Sequence, residues 1–190
     1  MAKVSTRERI VAEADELFYR KGFERTSFSD IAEAVNISRG NFYYHFKTKD
    51  DILDAVIQAR LGKTQVMLDQ WHARGDSPRA RIRSFIHILI ANRTRIMQHG
   101  CPVGTLCSEL AKLDHPSRAE ANRLFTLFRD WLRHQFSQLG CSRNADRFAL
   151  HVLAWSQGVA TLANAFHDER FIREEVAHLE QWLENCAEAA

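Results

Sequence analysis

The stretch Ser27–Lys49, SFSDIAEAVNISRGNFYYHFKTK, has the pattern of two short helices joined by a tight turn. Ser27 precedes the first helix and Asp30 follows three residues later, close to the spacing of a capping box, in which each side chain accepts a backbone N–H of the other residue. The turn falls at Asn36, because asparagine tolerates a left-handed backbone better than most residues other than glycine. Ser38 then caps the second helix. Three residues of the first helix recur at helical spacing and are expected to face a core: Ile31, Ala34 and Val35.

The second helix has a composition that suits a binding surface better than a structural role. It is short and contains Gly40 near its start, and a glycine inside a helix costs roughly 0.5–1 kcal/mol relative to alanine. Arginine and asparagine near a helix N-terminus can reach guanine and adenine edges in the major groove, while tyrosine, histidine and lysine can reach phosphates. The pattern therefore predicts a helix-turn-helix that reads double-stranded DNA. The predicted DNA contacts are Thr26, Ser27, Arg39, Gly40, Asn41, Tyr43, Tyr44, His45, Lys47 and Lys49.

Two of these contacts, Thr26 and Ser27, lie at the start of the first helix of the pair. Hydroxyls and backbone N–H groups at that position suit a phosphate, and the same hydroxyl can also cap the helix. The aromatic residues Phe42 and Phe46 are expected to face the core of the three N-terminal helices instead of the DNA.

The N-terminal block resembles the tetracycline-repressor (TetR) family of helix-turn-helix regulators over about the first third of the chain. The most specific part of the resemblance is the run Tyr-Tyr-His-Phe-Lys-x-Lys that ends at Lys49. Asn36 stands where the family most often has glycine, and Asn41 stands where small residues such as threonine are common, which bears on base preference. The matching residues are Ala14, Leu17, Phe18, Gly22, Thr26, Ile31, Ala32, Ser38, Arg39, Gly40, Tyr43, Tyr44, His45, Phe46, Lys47, Lys49, Asp51, Ile52 and Leu53.

The helical patterns predict an all-α fold of about nine helices. By the resemblance, residues 1–49 form a helix-turn-helix DNA-binding domain, and residues 50–190 form a larger ligand-binding and dimerisation domain. Outside the helix pair, seven further helices are predicted. The first four run from Ser5 to Gly22, from Thr48 to Gly75, from Ser77-Pro78 to about His99, and from about Thr105 to Lys112. The fifth carries the apolar residues from Leu124 to Phe136 and stops at Gly140, the sixth begins at Asn144 and contains residues 148–167, and the seventh carries the apolar stripe from Phe171 to Cys186.

The charge of the chain is nearly balanced, with 26 Lys and Arg residues against 24 Asp and Glu residues. Positive charge is concentrated locally, since residues 36–49 hold Arg39, Lys47, Lys49 and no acid. Residues 148–167 hold no charged side chain and are as long as a membrane span, but their histidine, serine, glutamine and asparagine side chains are costly in lipid. We therefore expect a cytoplasmic protein, with this stretch as a helix buried between protein surfaces and not in a membrane.

The helices near residues 144–167 and 169–188 are expected to form a homodimer. The first of them is apolar on more than one face, and two such helices from each subunit would make a four-helix interface, as in the resembled family. A two-fold dimer suits a palindromic operator, with its reading helices about 34–36 Å apart.

The resemblance also implies a small-molecule effector bound by the C-terminal part. The sequence shows no dense cluster of carboxylates or arginines there, so an apolar or aromatic ligand is the expectation. The candidate ligand-binding residues are Phe85, Leu89, Met97, Cys101, Leu106, Phe125, Phe128, Trp131, Trp155 and Phe166.

The cysteines leave a second interpretation open. Cys101 precedes a short helix whose N-terminus could favour a thiolate, so a regulator that senses oxidants or electrophiles through this thiol is an alternative. A metal site formed by His99, Cys101 and Cys107 is a further alternative, but their spacing matches no standard zinc pattern. The plainer interpretation is that Cys101 and Cys107 act as small apolar residues in a packed turn. No cofactor is implied.

The sequence favours a ligand-responsive DNA-binding regulator, by resemblance a repressor released from a palindromic operator by a small molecule. An enzyme is not expected, because the chain has no glycine-rich phosphate loop, nucleophile elbow or H-E-x-x-H motif. A helical interaction protein that does not read DNA is the alternative from another class.

Overall fold

The computed structural model describes residues 4–188, with side chains for residues 4–186, and every regular element in that range is a helix. The predicted all-α fold class is therefore confirmed. Within the same range, no helix is both long enough and apolar enough to span a membrane. The helices are α1 (Thr6–Lys21), α2 (Phe28–Val35), α3 (Arg39–His45), α4 (Lys49–Arg74), α5 (Pro78–Ile86), α6 (Ile88–Ala91), α7 (Arg93–His99), α8 (Pro102–Lys112), α9 (Arg118–Gln138), a short 3₁₀ helix (Ser142–Asn144), α10 (Ala145–Phe166) and α11 (Glu169–Glu188).

The single helix predicted to end near His99 is interrupted twice, at His87 and Asn92. The backbone N–H of each interrupting residue still donates to the carbonyl four residues earlier, at 2.9 and 3.1 Å. Asn92 Nδ2 also donates to the carbonyl of Ile88 at 2.9 Å, and such a side-chain bond competes with the backbone ladder. Counted as one irregular helix, α5–α7 bring the total to nine α-helices among the described residues, the number predicted.

Helix α8 begins at Pro102, three residues before the predicted start at Thr105. Proline is favoured at the first helical position, because its missing N–H would have no partner there in any case. The N–H of Gly104 donates to Cys101 Sγ at 3.4 Å, so the cysteine side chain occupies the place of an N-cap.

Capping boxes fix the starts of three helices in the N-terminal region. The backbone N–H and the hydroxyl of Ser27 each donate to Asp30 Oδ2 at 2.7 Å. These bonds, the backbone one foremost, lower the pKa of Asp30 below its ordinary value, and the equivalent carboxyls in the other two boxes are affected in the same way. The three pairs are Ser5–Glu8, Ser27–Asp30 and Thr48–Asp51.

The described chain packs as two compact units, and the first comprises residues 4–63 and 105–123. The prediction for α2 holds for Ile31 and Val35, but Ala34 is exposed and Ala32 is buried in its place, because the buried face of this short helix passes through positions 31, 32 and 35. The largest fully buried side chains of this unit are Phe42, Ile10, Ile31, Ile52, Leu53, Ile57 and Leu110.

The second unit comprises residues 64–104 and 124–188. Its core contains the fully buried Leu68, Ile82, Ile86, Leu132 and Phe136, among others. The helices α4, α8 and α9 each contribute residues to both units, since the chain passes from one unit to the other inside them. The division follows packing, whereas the boundary expected between residues 49 and 50 concerns function and stays a prediction.

Candidate DNA-binding surface and effector region

The turn between α2 and α3 is a Schellman motif with asparagine in the left-handed position. Asn36 has φ 55° and ψ 56°, and its N–H donates to the carbonyl of Glu33 at 3.0 Å. The N–H of Ile37 donates to the carbonyl of Ala32 at 3.2 Å, which completes the pair of bonds that define this motif. Asparagine therefore performs the turn that glycine performs in the resembled family, and Ser38 caps α3 by accepting the N–H of Asn41 at 3.4 Å.

Helix α3 presents a polar and aromatic face to solvent. Tyr44 is 80% exposed and Tyr43 is 48% exposed, with its ring stacked on that of Phe28 at 5.6 Å between centroids. A Cβ atom at Gly40 would meet nothing within 4 Å, so packing does not demand a glycine there. His45 is half-buried. Four more of the predicted DNA contacts are exposed: Ser27, Arg39, Asn41 and Lys47.

The core prediction for the other two aromatic residues is confirmed, since Phe42 is 1% exposed and Phe46 is 3% exposed. Their burial holds α3 against the rest of the first unit. Phe42 and Phe46 anchor one face of α3 in the core, and Tyr43 and Tyr44 between them therefore face solvent.

Thr26 does not fit its predicted role as a phosphate contact. Its side chain is buried, 1% exposed, and its hydroxyl donates to the carbonyl of Gly22 at 2.7 Å. The hydroxyl is thus used inside the protein to close the turn after α1. Ser27, the next residue, caps α2 and keeps an exposed hydroxyl.

The two predicted lysine contacts both bond to backbone carbonyls of the first unit. Lys47 Nζ donates to the carbonyl of Tyr43 at 2.6 Å and remains exposed. Lys49 Nζ donates to the carbonyls of Phe23 and Glu24 at 3.0 and 3.2 Å and lies 4.3 Å from the centre of the Phe23 ring. Lys49 is therefore first of all a support for the turn between α1 and α2.

A functional residue that sequence reasoning missed, Glu109, holds the same turn from the other side. Its Oε2 accepts the N–H of Phe23 at 2.9 Å, and its Oε1 accepts the N–H of Glu24 at 3.0 Å. Together with Lys49, this carboxylate binds both the N–H and the carbonyl groups of two successive residues, Phe23 and Glu24. The partners are more than 80 residues apart in sequence, so no local pattern could have revealed the contact.

Most of the predicted effector residues lie in the second unit. Phe85, Leu89 and Phe128 are buried there, with the Phe85 and Phe128 rings 5.4 Å apart, and five others pack partly buried against the same core. Two residues differ from the prediction. Phe166 is 73% exposed at the end of α10, and Leu106 belongs to the first unit. The five partly buried residues are Met97, Cys101, Phe125, Trp131 and Trp155.

Helix α9 carries two buried polar atoms with no hydrogen-bond partner, Trp131 Nε1 and Gln135 Nε2. Gln135 is fully buried, and its Oε1 accepts from Arg81 Nη1 at 3.5 Å. Gln135 was not among the predicted residues, because a glutamine in a helix gives no sequence signal of its own burial.

The thiol of Cys101 is held by neighbouring donors. Besides the Gly104 N–H, Gln157 Nε2 lies 3.5 Å from its Sγ. Across the side chains that the structure describes, no three His, Cys, Asp or Glu residues are grouped as a metal site requires.

An N-terminal helix-turn-helix with an exposed recognition face, joined by continuous helices to a larger helical unit, defines a helix-turn-helix DNA-binding protein. The model of the bacterial regulatory proteins of the tetR family matches residues 10–56, and that of the LmrA/YxaF-like transcriptional regulator C-terminal domain matches residues 78–178. The chain belongs to the TetR family of transcriptional regulators.

Individual relatives agree with this assignment. An HTH-type transcriptional regulator encoded in the lacX 3′ region of Lactococcus lactis is 32% identical over 124 residues, which cover 64% of this chain and 63% of that protein. The HTH-type transcriptional regulator TtgR of Pseudomonas putida is 25% identical over 165 residues, 81% of this chain and 78% of that protein. A TetR transcriptional regulator from Legionella pneumophila has a crystal structure with TM-score 0.84 and 27% identity, covering 95% of this chain and 98% of that one. These relatives are transcriptional regulators and not enzymes.

Proposed function

We propose that this protein is a cytoplasmic repressor that binds a palindromic operator as a homodimer and leaves it when a small molecule binds the second unit. The observation that carries the proposal is the exposed face of α3, which sets tyrosine, arginine and asparagine side chains outward on a helix anchored by buried Phe42 and Phe46. Tyr44 is 80% exposed, so its large side chain contributes little to packing. Contact with DNA explains why a tyrosine stands at this exposed position.

The DNA surface consists of Arg39 and Asn41 for base edges and Tyr43, Tyr44 and Lys47 for phosphates. Arginine and asparagine can each make two hydrogen bonds to one base edge, to guanine and adenine respectively. Ser27 and His45 lie beside this set and add phosphate contacts, while Gly40 lets the backbone come close. Lys49 adds positive charge but contributes less than Lys47, because its ammonium group is bound to two carbonyls of its own chain.

Helix α10 supports the dimer with a row of exposed apolar and small residues, which we name the α10 row. Its members are four residues apart, so each lies next to the following one on the helix surface and the row winds slowly round the helix. Leu150 is 45% exposed, Leu162 is 44% exposed and Phe166 is 73% exposed, and a Cβ atom at Gly158 would meet nothing within 4 Å. A second copy of the row would cover these side chains and let the helix backbones approach closely. The α10 row consists of Leu150, Ala154, Gly158, Leu162 and Phe166.

The effector acts by shifting a population between two arrangements of the dimer. One arrangement spans the operator and the other does not. A ligand releases DNA only to the extent that it binds the second arrangement more tightly than the first. Helix α4 is the element that carries the change, since it begins directly after the reading helix and continues into the second unit.

DNA recognition is tested by selecting binding sites from random duplex DNA and footprinting the selected sequence. Arg39→Ala is expected to relax base preference at one position of each half-site, and Lys47→Ala to weaken binding evenly across sequences and reduce its salt dependence. The matched controls Arg118→Ala and Lys112→Ala change exposed side chains of the first unit that are not among the predicted DNA contacts, and they are expected to leave binding unchanged. Equal losses in the controls, or no selected sequence, would refute the proposal.

Dimerisation is tested by sedimentation at micromolar protein concentration. The parent is expected to be a dimer, and Leu162→Glu is expected to be a folded monomer because the substitution places two like charges in the interface. Glu is tolerated at this position in a monomer, since the side chain is exposed. A monomeric parent would refute this part of the proposal.

The comparisons favour neither of the two alternatives, a thiol sensor at Cys101 or an interaction module that does not read DNA. Cys101→Ser separates the first of them from the proposed function. This variant is expected to keep its response to a non-covalent effector.

A further inference from the structure

The second unit contains a set of hydrogen-bond donors that lacks acceptors. Trp131 Nε1 and Gln135 Nε2 are buried on α9 without partners, and the two residues are one helical turn apart, so they are neighbours on one face. Burying a polar group without a hydrogen bond is unfavourable, and proteins seldom leave two such groups side by side without a use.

The orientation of the glutamine amide is fixed by its surroundings. Arg81 Nη1 donates to Gln135 Oε1 at 3.5 Å and to Gln138 Oε1 at 3.3 Å, so the oxygen of the Gln135 amide faces the arginine and its NH₂ group faces away. Exchanging the two amide atoms would bring two donors together and is therefore disfavoured.

Arg81 adds a positive charge to these two neutral donors. The guanidinium is half-buried, and its bonds go to the Gly75 carbonyl at 3.1 Å and to the two glutamine oxygens. None of the ion pairs found among the described side chains involves Arg81, whereas Arg79 and Arg83 of the same helix both bind Glu184. A partly desolvated guanidinium with only neutral partners favours an added anion.

The apolar surroundings indicate what should be attached to that anion. The Trp131 ring lies 5.8 Å from that of Trp71, centre to centre. The neighbouring residues of α9 that are buried are Phe128, Leu132 and Phe136. Aromatic side chains around a few convergent polar groups are typical of sites for small organic molecules.

We propose that the effector is an aromatic carboxylate, whose oxygens accept from Trp131 Nε1 and Gln135 Nε2 while its ring packs against Trp71. The Arg81 guanidinium, on the oxygen side of the Gln135 amide, polarises that amide and adds positive charge to the region. The inference rests on the proposed function only in calling this ligand the effector. It keeps the aromatic part of the expected apolar or aromatic ligand and adds a carboxylate, because the donors and the charge become apparent only where α4, α5 and α9 meet within the second unit.

The test measures binding to the full chain without DNA, by calorimetry, for four compounds that share one ring and chain. They are 3-phenylpropionate, 3-phenylpropanamide, 3-phenylpropylamine and n-propylbenzene. The expected order of affinity is carboxylate, then amide, then hydrocarbon, with the amine weakest, because the site offers donors and a positive charge.

Two substitutions remove one donor each while keeping bulk, Gln135→Leu and Trp131→Phe. Each is expected to weaken 3-phenylpropionate binding by roughly 10- to 100-fold, the effect of losing one hydrogen bond to a charged group, and to leave n-propylbenzene binding unchanged. Arg81→Met removes the positive charge and is expected to weaken 3-phenylpropionate binding by a smaller factor, because the guanidinium does not bond to the ligand directly. The control Gln70→Leu changes an exposed glutamine of α4 and is expected to have no effect.

Gln135→Leu also carries a readout independent of any ligand. The variant removes an unpartnered buried donor and loses only the 3.5 Å bond from Arg81, which keeps its acceptors on Gly75 and Gln138. It should therefore melt no lower than the parent, which a purely structural glutamine would not allow. A marked loss of stability would overturn the assignment of Gln135 to a ligand.

The outcomes separate this inference from the proposed function, which footprinting tests without any compound. Absence of a carboxylate preference, or a preference that survives Gln135→Leu and Trp131→Phe, overturns the inference and leaves DNA recognition standing. A carboxylate preference that both substitutions abolish supports the site, even in a protein for which no operator is found.

Discussion

Removing the Glu109 carboxylate should weaken the first unit at the turn between α1 and α2. The carboxylate accepts the N–H of Phe23, which is partly buried, and that of Glu24, which is exposed, at 2.9 and 3.0 Å. In Glu109→Ala the Phe23 N–H loses a charged acceptor, and the Glu24 N–H regains a water molecule.

The magnitude follows from the two bonds taken separately. A hydrogen bond to a charged group contributes about 1.5–3 kcal/mol and an ordinary exposed one about 0.5–1.5 kcal/mol, so Glu109→Ala should lower the free energy of unfolding by roughly 2–4 kcal/mol. For a chain of this size, each kcal/mol lowers the melting temperature by about 2–4 °C. Glu109→Gln keeps one oxygen acceptor without its charge, and we expect about half the effect.

Hydrogen exchange localises the loss. The amides of Phe23 and Glu24 should exchange faster in Glu109→Ala, by about 30-fold for each 2 kcal/mol, while amides in the middle of α10 keep their rates. Glu13→Ala, which removes an exposed carboxylate from α1, serves as the control and should leave both amides unaffected. Unchanged exchange at the turn in Glu109→Ala would show that the carboxylate does not hold these N–H groups in solution.

Five further substitutions at four positions test other features of the fold. Phe136→Ala should cost about 3–5 kcal/mol in urea unfolding, because the side chain is fully buried, whereas Phe166→Ala, at 73% exposure, should leave monomer stability unchanged and weaken only the dimer. Asn36→Gly should be neutral and Asn36→Ala should destabilise by about 1 kcal/mol, as measured by thermal melts, because φ is 55° there. Hydrogen bonds from Ser27 lower the folded-state pKa of Asp30, so its stabilising effect is present above the ordinary pKa of the carboxyl and is lost as pH falls through the lowered value. Asp30→Asn should therefore flatten the decline of the urea midpoint below about pH 4, and an unchanged decline would contradict this account.

The N-terminal helices were predictable because their signals are local. The capping boxes, the left-handed Asn36 and the alternation of buried Phe42 with exposed Tyr43 each depend on residues within four positions of one another. The same local signals led to the prediction that Thr26 faces outward, and here tertiary packing prevailed, since the hydroxyl binds the carbonyl of Gly22.

Other features required the folded chain. The contact of Glu109 with the turn at Phe23 joins residues 86 apart, and the donor set of Arg81 and Gln135 joins residues 54 apart. Helical periodicity reports that a face is apolar, but it does not report which polar residue of that face will be left without an acceptor. This is why the sequence predicted an apolar or aromatic ligand, whereas the structure shows two buried donors without acceptors, Trp131 Nε1 and Gln135 Nε2.

The first unit is discontinuous in sequence, because residues 64–104 are inserted between its two segments. During synthesis the ribosome releases the three N-terminal helices well before Glu109. At about 5–20 residues per second, residues 64–109 take roughly 2–9 s to appear, and for that time the N–H groups of Phe23 and Glu24 lack their carboxylate acceptor. The nascent chain therefore completes its first unit only after residues 64–104 of the second unit have been made, and a fragment ending at residue 63 lacks the carboxylate that completes the turn.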